Sequence, residues 1–178
     1  LPPMQTAGLI QVFDTLADPI DTIVVDCAPG IGTAAVQLAG ATDQVIVVVC
    51  NEPSSIADAY AVIKVLSRDY GVRSFDVLVN MTRRSSDANT VFSHLCRVAD
   101  RFLNVALTQI GGIPDDDYLR RSVRARSAVV SRFPSSPSAL AFRRHAKHIA
   151  TRPRASGSTG NLEFVLERTI AAPSAETT

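Results

Sequence analysis

Four runs rich in β-branched and other apolar residues, Asp21–Cys27, Gln44–Cys50, Phe75–Met81 and Val105–Ile113, punctuate this chain, with helically spaced stretches between them. Strands that alternate with helices pair in parallel, because the return path across the sheet is long enough to hold a helix. The first three runs are almost continuously apolar, as expected for strands covered by helices on both faces. The pattern therefore predicts an α/β fold, a three-layer α/β/α sandwich with a mainly parallel sheet.

The intervening segments carry helix signals. Ser55–Tyr70 follows Pro53-Ser54-Ser55, where Ser54 or Ser55 is placed to cap, and repeats apolar residues at Ile56, Ala59, Tyr60, Ile63 and Leu66 before Gly71. Asp87 or Asn89 is placed to cap a helix with Phe92, Leu95, Val98, Ala99 and Phe102 on one side, and Asp115–Asp117 open a basic helix after Pro114. The stretch Arg152–Gly160, "RPRASGSTG", reads as a hinge. This divides the chain into a main domain over 1–152, a linker over 153–161, a short amphipathic helix over 162–170 and a tail over 171–178.

A chain of 178 residues holds one such domain. The longest apolar run, Val45–Cys50, is too short to cross a bilayer, and "LPPMQTAGLI" lacks the basic and apolar regions of a secretory signal. Cys27, Cys50 and Cys96 are odd in number and have no paired spacing, which argues against a disulfide framework or a zinc site. A cytoplasmic location is expected. The net charge of +1 conceals an asymmetry, since ten Lys/Arg face three Asp between Asn104 and Arg154.

In open parallel sheets, ligands bind beyond the carboxyl ends of the strands, where loops and helix N-termini offer backbone donors. Asp26 stands at such an end, followed by the turn Pro29-Gly30-Ile31-Gly32. A carboxylate there suits Mg²⁺ bound directly or through water, and Gly30 and Gly32 would let backbone N–H groups approach a phosphate. The plainer reading makes Asp26 a cap for the next helix. The same turn also fits the dinucleotide pattern G-x-G-x-x-G/A, with Glu52 about 20 residues on. Against that reading, Asp26 would lie beside a pyrophosphate and Pro29 would interrupt the approach.

Taken in order, "DCAPGIG", "VVVCNEPSSIADAYAVIKVLSRDYG", "VLVNM" and "GGIPDDDYLRRSV" resemble the FlhG/FleN-like flagellar-number regulators, a branch of the MinD/ParA family of deviant P-loop ATPases. The likeness runs from about Gly8 to the terminal "GNLEFVLERTI". The pattern Glu-Pro-x-Ser-x-x-Asp-Ala-Tyr is the specific part, whereas the Asp-x-x-x-Gly turn is shared across the family. The resemblance implies Asp26 as the Walker B-like acid at Mg²⁺, and Pro29, Gly30 and Ile31 as the loop that senses the γ-phosphate. It also implies Asn80 as the purine-contacting asparagine and Pro114, Asp115 and Asp116 as the adenine-side loop. Read without it, Asn80 is a turn residue satisfying its own backbone, and Asp116 pairs with a helix N-terminus.

The resemblance further implies ATP and Mg²⁺ as cofactors, a homodimer when ATP is bound, and partners that include a flagellar transcription activator and a flagellar signal-recognition-type GTPase. Three departures qualify it. G-x-x-x-x-G-K-[ST] is absent and the lysines are Lys64 and Lys147, so the phosphate-cradling strand is expected outside this chain, which alone should not hydrolyse ATP. Pro29 stands where a small residue is usual, and Asn51 where an acid or small residue is. A ParA- or MinD-type positioning ATPase for chromosome or division site, and a non-enzymatic regulatory domain, remain alternatives.

Other candidates are weaker. Arg120, Arg121, Arg124, Arg126, Arg143, Arg144 and Lys147 form a basic group whose ordinary meaning is a solvated helix face, and no aromatic interleaves them as direct nucleic-acid binding would want. His145 and His148 read as surface residues and Cys96 as core. Leu162–Ile170 either packs on its own domain or makes a weak peripheral membrane contact.

Overall fold

The computed structural model describes residues 22–84 and 86–151. In chain order these form α1 (Thr33–Gly40), β1 (Ile46–Cys50), α2 (Pro53–Asp69), β2 (Ser74–Thr82), α3 (Asp87–Phe102), β3 (Ala106–Pro114), α4 (Asp117–Arg124), α5 (Val129–Arg132) and α6 (Pro137–Ala150). The strands build a parallel sheet in the order β1-β2-β3. Because the order steps one way, right-handed crossovers put both connecting helices, α2 and α3, on one face.

That face holds the main core. Val47 and Val49 of β1 and Phe75, Val77 and Val79 of β2 meet Ala59, Ile63 and Leu66 of α2 and Ala88, Val91 and Leu95 of α3. Each of the larger side chains, fully withdrawn from water, contributes roughly 1.5–3 kcal/mol. The helical spacing of the apolar residues on α2 is thus the spacing of its buried side. The helix begins at Pro53, whose fixed φ suits a first turn, while Ser55 Oγ accepts from the Cys50 N–H at 2.9 Å instead of capping.

The opposite face is covered at β3 by α6. Gly111 and Gly112 point to opposite sides of the strand: a Cβ on Gly112 would meet Thr82 and Ala88, whereas one on Gly111 would lie 2.3 Å from His145 Cε1. Gly111 has φ +129°, which only glycine adopts at low cost. His145 is accordingly buried, at 5 % exposure, with Nε2 3.1 Å from the Gly112 carbonyl. This corrects its reading as a surface residue; the burial depends on a glycine pair far away in sequence. His148 is exposed.

Two further expectations change. Thr22–Ala28 joins no ladder, and Val24 is 89 % exposed, so the predicted strand Asp21–Cys27 is not part of the described sheet. A strand exists only where a neighbour takes its N–H and C=O groups, and the outer edge of β1 carries no strand among the described residues. Likewise Ile46 and Val48 remain exposed on the second face, so among the described residues helices cover both faces only at β3. The linker over 153–161, the helix over 162–170 and the tail over 171–178 lie outside the described residues.

Gly111→Ala is expected to lower folding stability by about 2–4 kcal/mol, from positive-φ strain and from the clash with His145. The double variant Gly111→Ala/His145→Ala should be less destabilised than the sum of its singles, because truncating the ring removes the clash. Urea unfolding midpoints of the four proteins check both points.

Candidate functional site

Parallel strands finish at one edge of the sheet, and three segments reach it: Asn51–Glu52 after β1, the Asn80–Thr82 end of β2, and Pro114, which ends β3, with Asp115–Asp116 after it. The last two are joined directly. The Asp115 N–H donates to the Thr82 carbonyl at 2.9 Å, and Thr82 Oγ1 donates to the Ile113 carbonyl at 3.3 Å. β2 thereby holds the loop of β3 in place.

Asn80 lies opposite Cys50 at the end of β2 and is half-buried. Its Oδ1 accepts from the N–H of Met81, which has φ +56°, so the side chain steadies a left-handed residue where the β2–β3 register is irregular. This is the local bond that the plainer reading of Asn80 expects, and it leaves the amide NH₂ group free to donate to a purine ring nitrogen. Beyond it, Asp87 Oδ2 accepts from the N–H groups of Arg83 and Arg84, both at 2.9 Å. Those amides hold its carboxyl below the usual range. Asp87 thus closes the turn that precedes α3.

Asp115 is ion-paired to Arg120, and Arg83 approaches it at 3.9 Å. Asp116 is 8 % exposed and spends both oxygens inside the protein. Oδ1 accepts from the Tyr118 N–H at 2.9 Å, which caps α4; Oδ2 accepts from the Ser138 N–H at 3.0 Å and the Ser138 hydroxyl at 2.6 Å in the first turn of α6. Ser136 caps α6 from the same spot. Burial pushes the Asp116 carboxyl up, but the bonds from Ser138, Tyr118 and Ser136 outweigh it and leave the carboxyl below its ordinary value. One carboxylate therefore anchors two helix N-termini at the end of β3.

The structure thus brings Asn80, Pro114, Asp115 and Asp116 together. It does not bring Asp26 and Gly30 to them: both are exposed, on the segment before α1, and among the described residues no hydrogen bond or ion pair ties Asp26 to that edge. Gly30 has φ +92°, and α1 does follow the Gly30–Gly32 turn, but among the described residues no strand precedes it as a dinucleotide fold requires. Burial first, then Asp26, Glu52 and Asp100 respectively, push the Cys27, Cys50 and Cys96 thiols up, which disfavours a nucleophilic thiolate. Among the described residues no three His, Cys, Asp or Glu side chains are grouped to hold a metal ion, and no helix is long and apolar enough to cross a membrane.

The donors at this edge fit the base end of a nucleotide, with an amide, a proline ring and a fixed loop backbone. They do not fit its triphosphate, because Lys64 and Lys147 lie on α2 and α6 and no glycine loop with lysine exists in the chain. Ser136, Ser138 and Thr82 were not singled out in the sequence. "SSPSAL", a serine before a helix-opening proline, is the capping signal that marks the first two.

The parallel βαβαβ unit, its loops converging on one edge, is a MinD-like α/β fold of the P-loop NTPase kind. The chain belongs with the FlhG/FleN-like proteins of the MinD/ParA family. It is 44 % identical over 173 residues, 97 % of the chain, to antiactivator FleN of Pseudomonas aeruginosa, and spans 62 % of that protein. It is 32 % identical over 108 residues, 60 % of the chain, to the flagellum site-determining protein YlxH of Helicobacter pylori, spanning 36 % of it. An uncharacterized ATP-binding protein of Methanocaldococcus jannaschii is 29 % identical over 134 residues, 75 % of the chain and 48 % of that protein. No family model matches the chain.

Asp116→Ala should destabilise the protein by about 2–4 kcal/mol, since it leaves buried N–H donors of two helix starts unpaired. Asp116→Asn, which keeps one acceptor, should lose less. As the carboxyl is depressed in the folded state, its contribution is complete above the ordinary carboxylate value of about 3.9 and disappears as pH falls through its lower folded value. Unfolding midpoints measured from neutral to acid pH should therefore converge for wild type and Asp116→Asn only at the acid end.

Proposed function

We propose that the chain is the base-binding and partner-binding portion of an ATP-dependent switch that regulates flagellar number or placement. The observation that carries this reading is the arrival of Asn80 and Pro114–Asp116 at one carboxyl edge, linked through Thr82, in a chain 44 % identical to an antiactivator over 97 % of the chain's own length. In this reading Asn80 donates through its amide NH₂ to the purine, Pro114 packs on the ring, and Asp115 and Asp116 fix the loop. Asp26 belongs at Mg²⁺, most suitably through water, since that ion takes one or two carboxylates together with phosphate oxygens. The bound nucleotide supplies the γ-phosphate that the Pro29–Ile31 loop reads.

Among the described residues the outer edge of β1 has no neighbour and the run Thr22–Asp26 is unpaired, which together support a further strand, carrying the phosphate loop, in a longer protein. The longer protein would form a homodimer with ATP, act in the cytoplasm on a flagellar transcription activator, and meet a flagellar signal-recognition-type GTPase. The segment Leu162–Ile170 is proposed as a weak peripheral membrane contact. Direct nucleic-acid binding has no part in the reading.

Equilibrium binding of a fluorescent ATP analogue with Mg²⁺ tests it, comparing this chain with a form extended upstream in its gene. The extended form should bind, Asp26→Ala should lose the Mg²⁺-dependent part, and Asn80→Ala should weaken binding about tenfold, the worth of one good hydrogen bond. Indifference of the extended form to both substitutions would sink the assignment. In cells, loss of the gene should raise the number of flagella, counted by electron microscopy.

A further inference from the structure

From Tyr118 to Thr151 the chain has seven arginines and one lysine and not one acidic residue. These residues form α4, α5 and α6, and local contacts tie them into one unit. Arg121 stacks over Tyr118 at 5.6 Å and Phe133 at 5.2 Å, and those two rings lie 5.1 Å apart. Arg143 donates to the carbonyls of Pro134 at 3.0 Å and Val130 at 2.9 Å. Arg120 is neutralised by Asp115 and Asp117, whereas Arg124, Arg126, Arg144 and Lys147 have no carboxylate partner among the described residues. Around them Tyr118, Val123 and Leu140 are exposed at 45 %, 67 % and 53 %.

We propose that this surface of α4–α6 docks an acidic segment of a partner protein. The partner class rests on the antiactivator reading above; the surface itself rests on charge and geometry. Guanidiniums already held on rings or carbonyls lose little freedom when they bind, and their planar fork matches a carboxylate. Exposed apolar side chains among them supply the anchoring area that a purely ionic contact lacks. Aromatic rings do lie among these arginines, contrary to the sequence reading, but a nucleic-acid strand is the poorer fit, because the Tyr118 and Phe133 rings serve as arginine platforms and are not bare stacking faces. An anionic membrane is also poorer, because Val123 and Leu140 sit on separate helices among arginines and make no continuous apolar stripe. The surface is continuous with the nucleotide edge, since Asp116 caps α4 and holds the start of α6.

The test uses the full chain and fluorescence anisotropy with a labelled peptide of alternating acidic and leucine residues, beside its glutamine counterpart, phosphatidylglycerol vesicles and duplex DNA. The acidic peptide should bind at least about tenfold tighter than the glutamine peptide, and raised salt should weaken it. Arg124→Glu and Arg144→Glu, both at exposed positions and checked for unchanged circular dichroism, should each weaken it about tenfold. Arg121→Lys keeps the charge but loses the planar stack, and should weaken it less. Equal affinity for the glutamine peptide, indifference to charge reversal, or preference for vesicles or DNA would overturn the proposal.

A flagellar-promoter reporter separates this proposal from the antiactivator reading. With the protein in its upstream-extended form, if the wild type represses and the charge-reversed variants do not, both hold. Equal repression by all of them overturns the surface alone. Peptide binding without repression by the wild type retains the surface and removes the antiactivator role.

Discussion

The parallel pairing of β1, β2 and β3 is the constraint on which the rest depends. Parallel strands must all finish at the same edge, so residues more than thirty apart, Asn80 and Pro114 among them, arrive together without any contact having to select them. Burial of Phe75, Val77 and Val79 under α2 and α3 then sets which face of β2 looks inward. A slip of one residue would turn those side chains outward and put Asp76 and Leu78 into the main core. The hydrophobic register thus fixes the site as firmly as it fixes the fold.

Three of the four expected strands form, because a β-branched run beneath helices is both a local preference and a burial pattern. The run at Thr22–Cys27 has the same composition and yet forms no strand here, which locates the missing information: composition says that a segment can pair, and only a neighbour makes it do so. His145 is the reverse case. Nothing within α6 distinguishes it from His148, and its burial is decided by the absence of a side chain at Gly111, on another element.

The candidate site was legible in part for a similar reason. Asn80 and Pro114–Asp116 follow apolar runs, and any residue in that position reaches the carboxyl edge. What each side chain does there depends on partners that spacing does not show. Asp116 had two readings, base-side contact and helix-terminus pairing, and the geometry gives it the second, with both oxygens committed to Tyr118 and Ser138. Its part in the proposed nucleotide site is therefore indirect, through the position of Pro114 and Asp115.

That indirectness has a mechanical consequence. The loop Pro114–Asp115 is held from two sides, by the Thr82 carbonyl on β2 and by a buried carboxylate that also carries the starts of α4 and α6. A nucleotide that moved the loop would have to move Asp116, and Asp116 cannot move alone without leaving donors of two helices unpaired, at about 1–3 kcal/mol for each buried donor. The alternative is a joint shift of α4 and α6, tied to each other through α5, and such a shift has to carry His145 of α6 across its seat on Gly111 and Gly112 of β3. Ligand-driven changes follow such routes because packed elements move as bodies more easily than buried bonds break. The carboxyl edge of the sheet and the basic helices would then report on each other, with the Asp116 carboxylate as the joint between them.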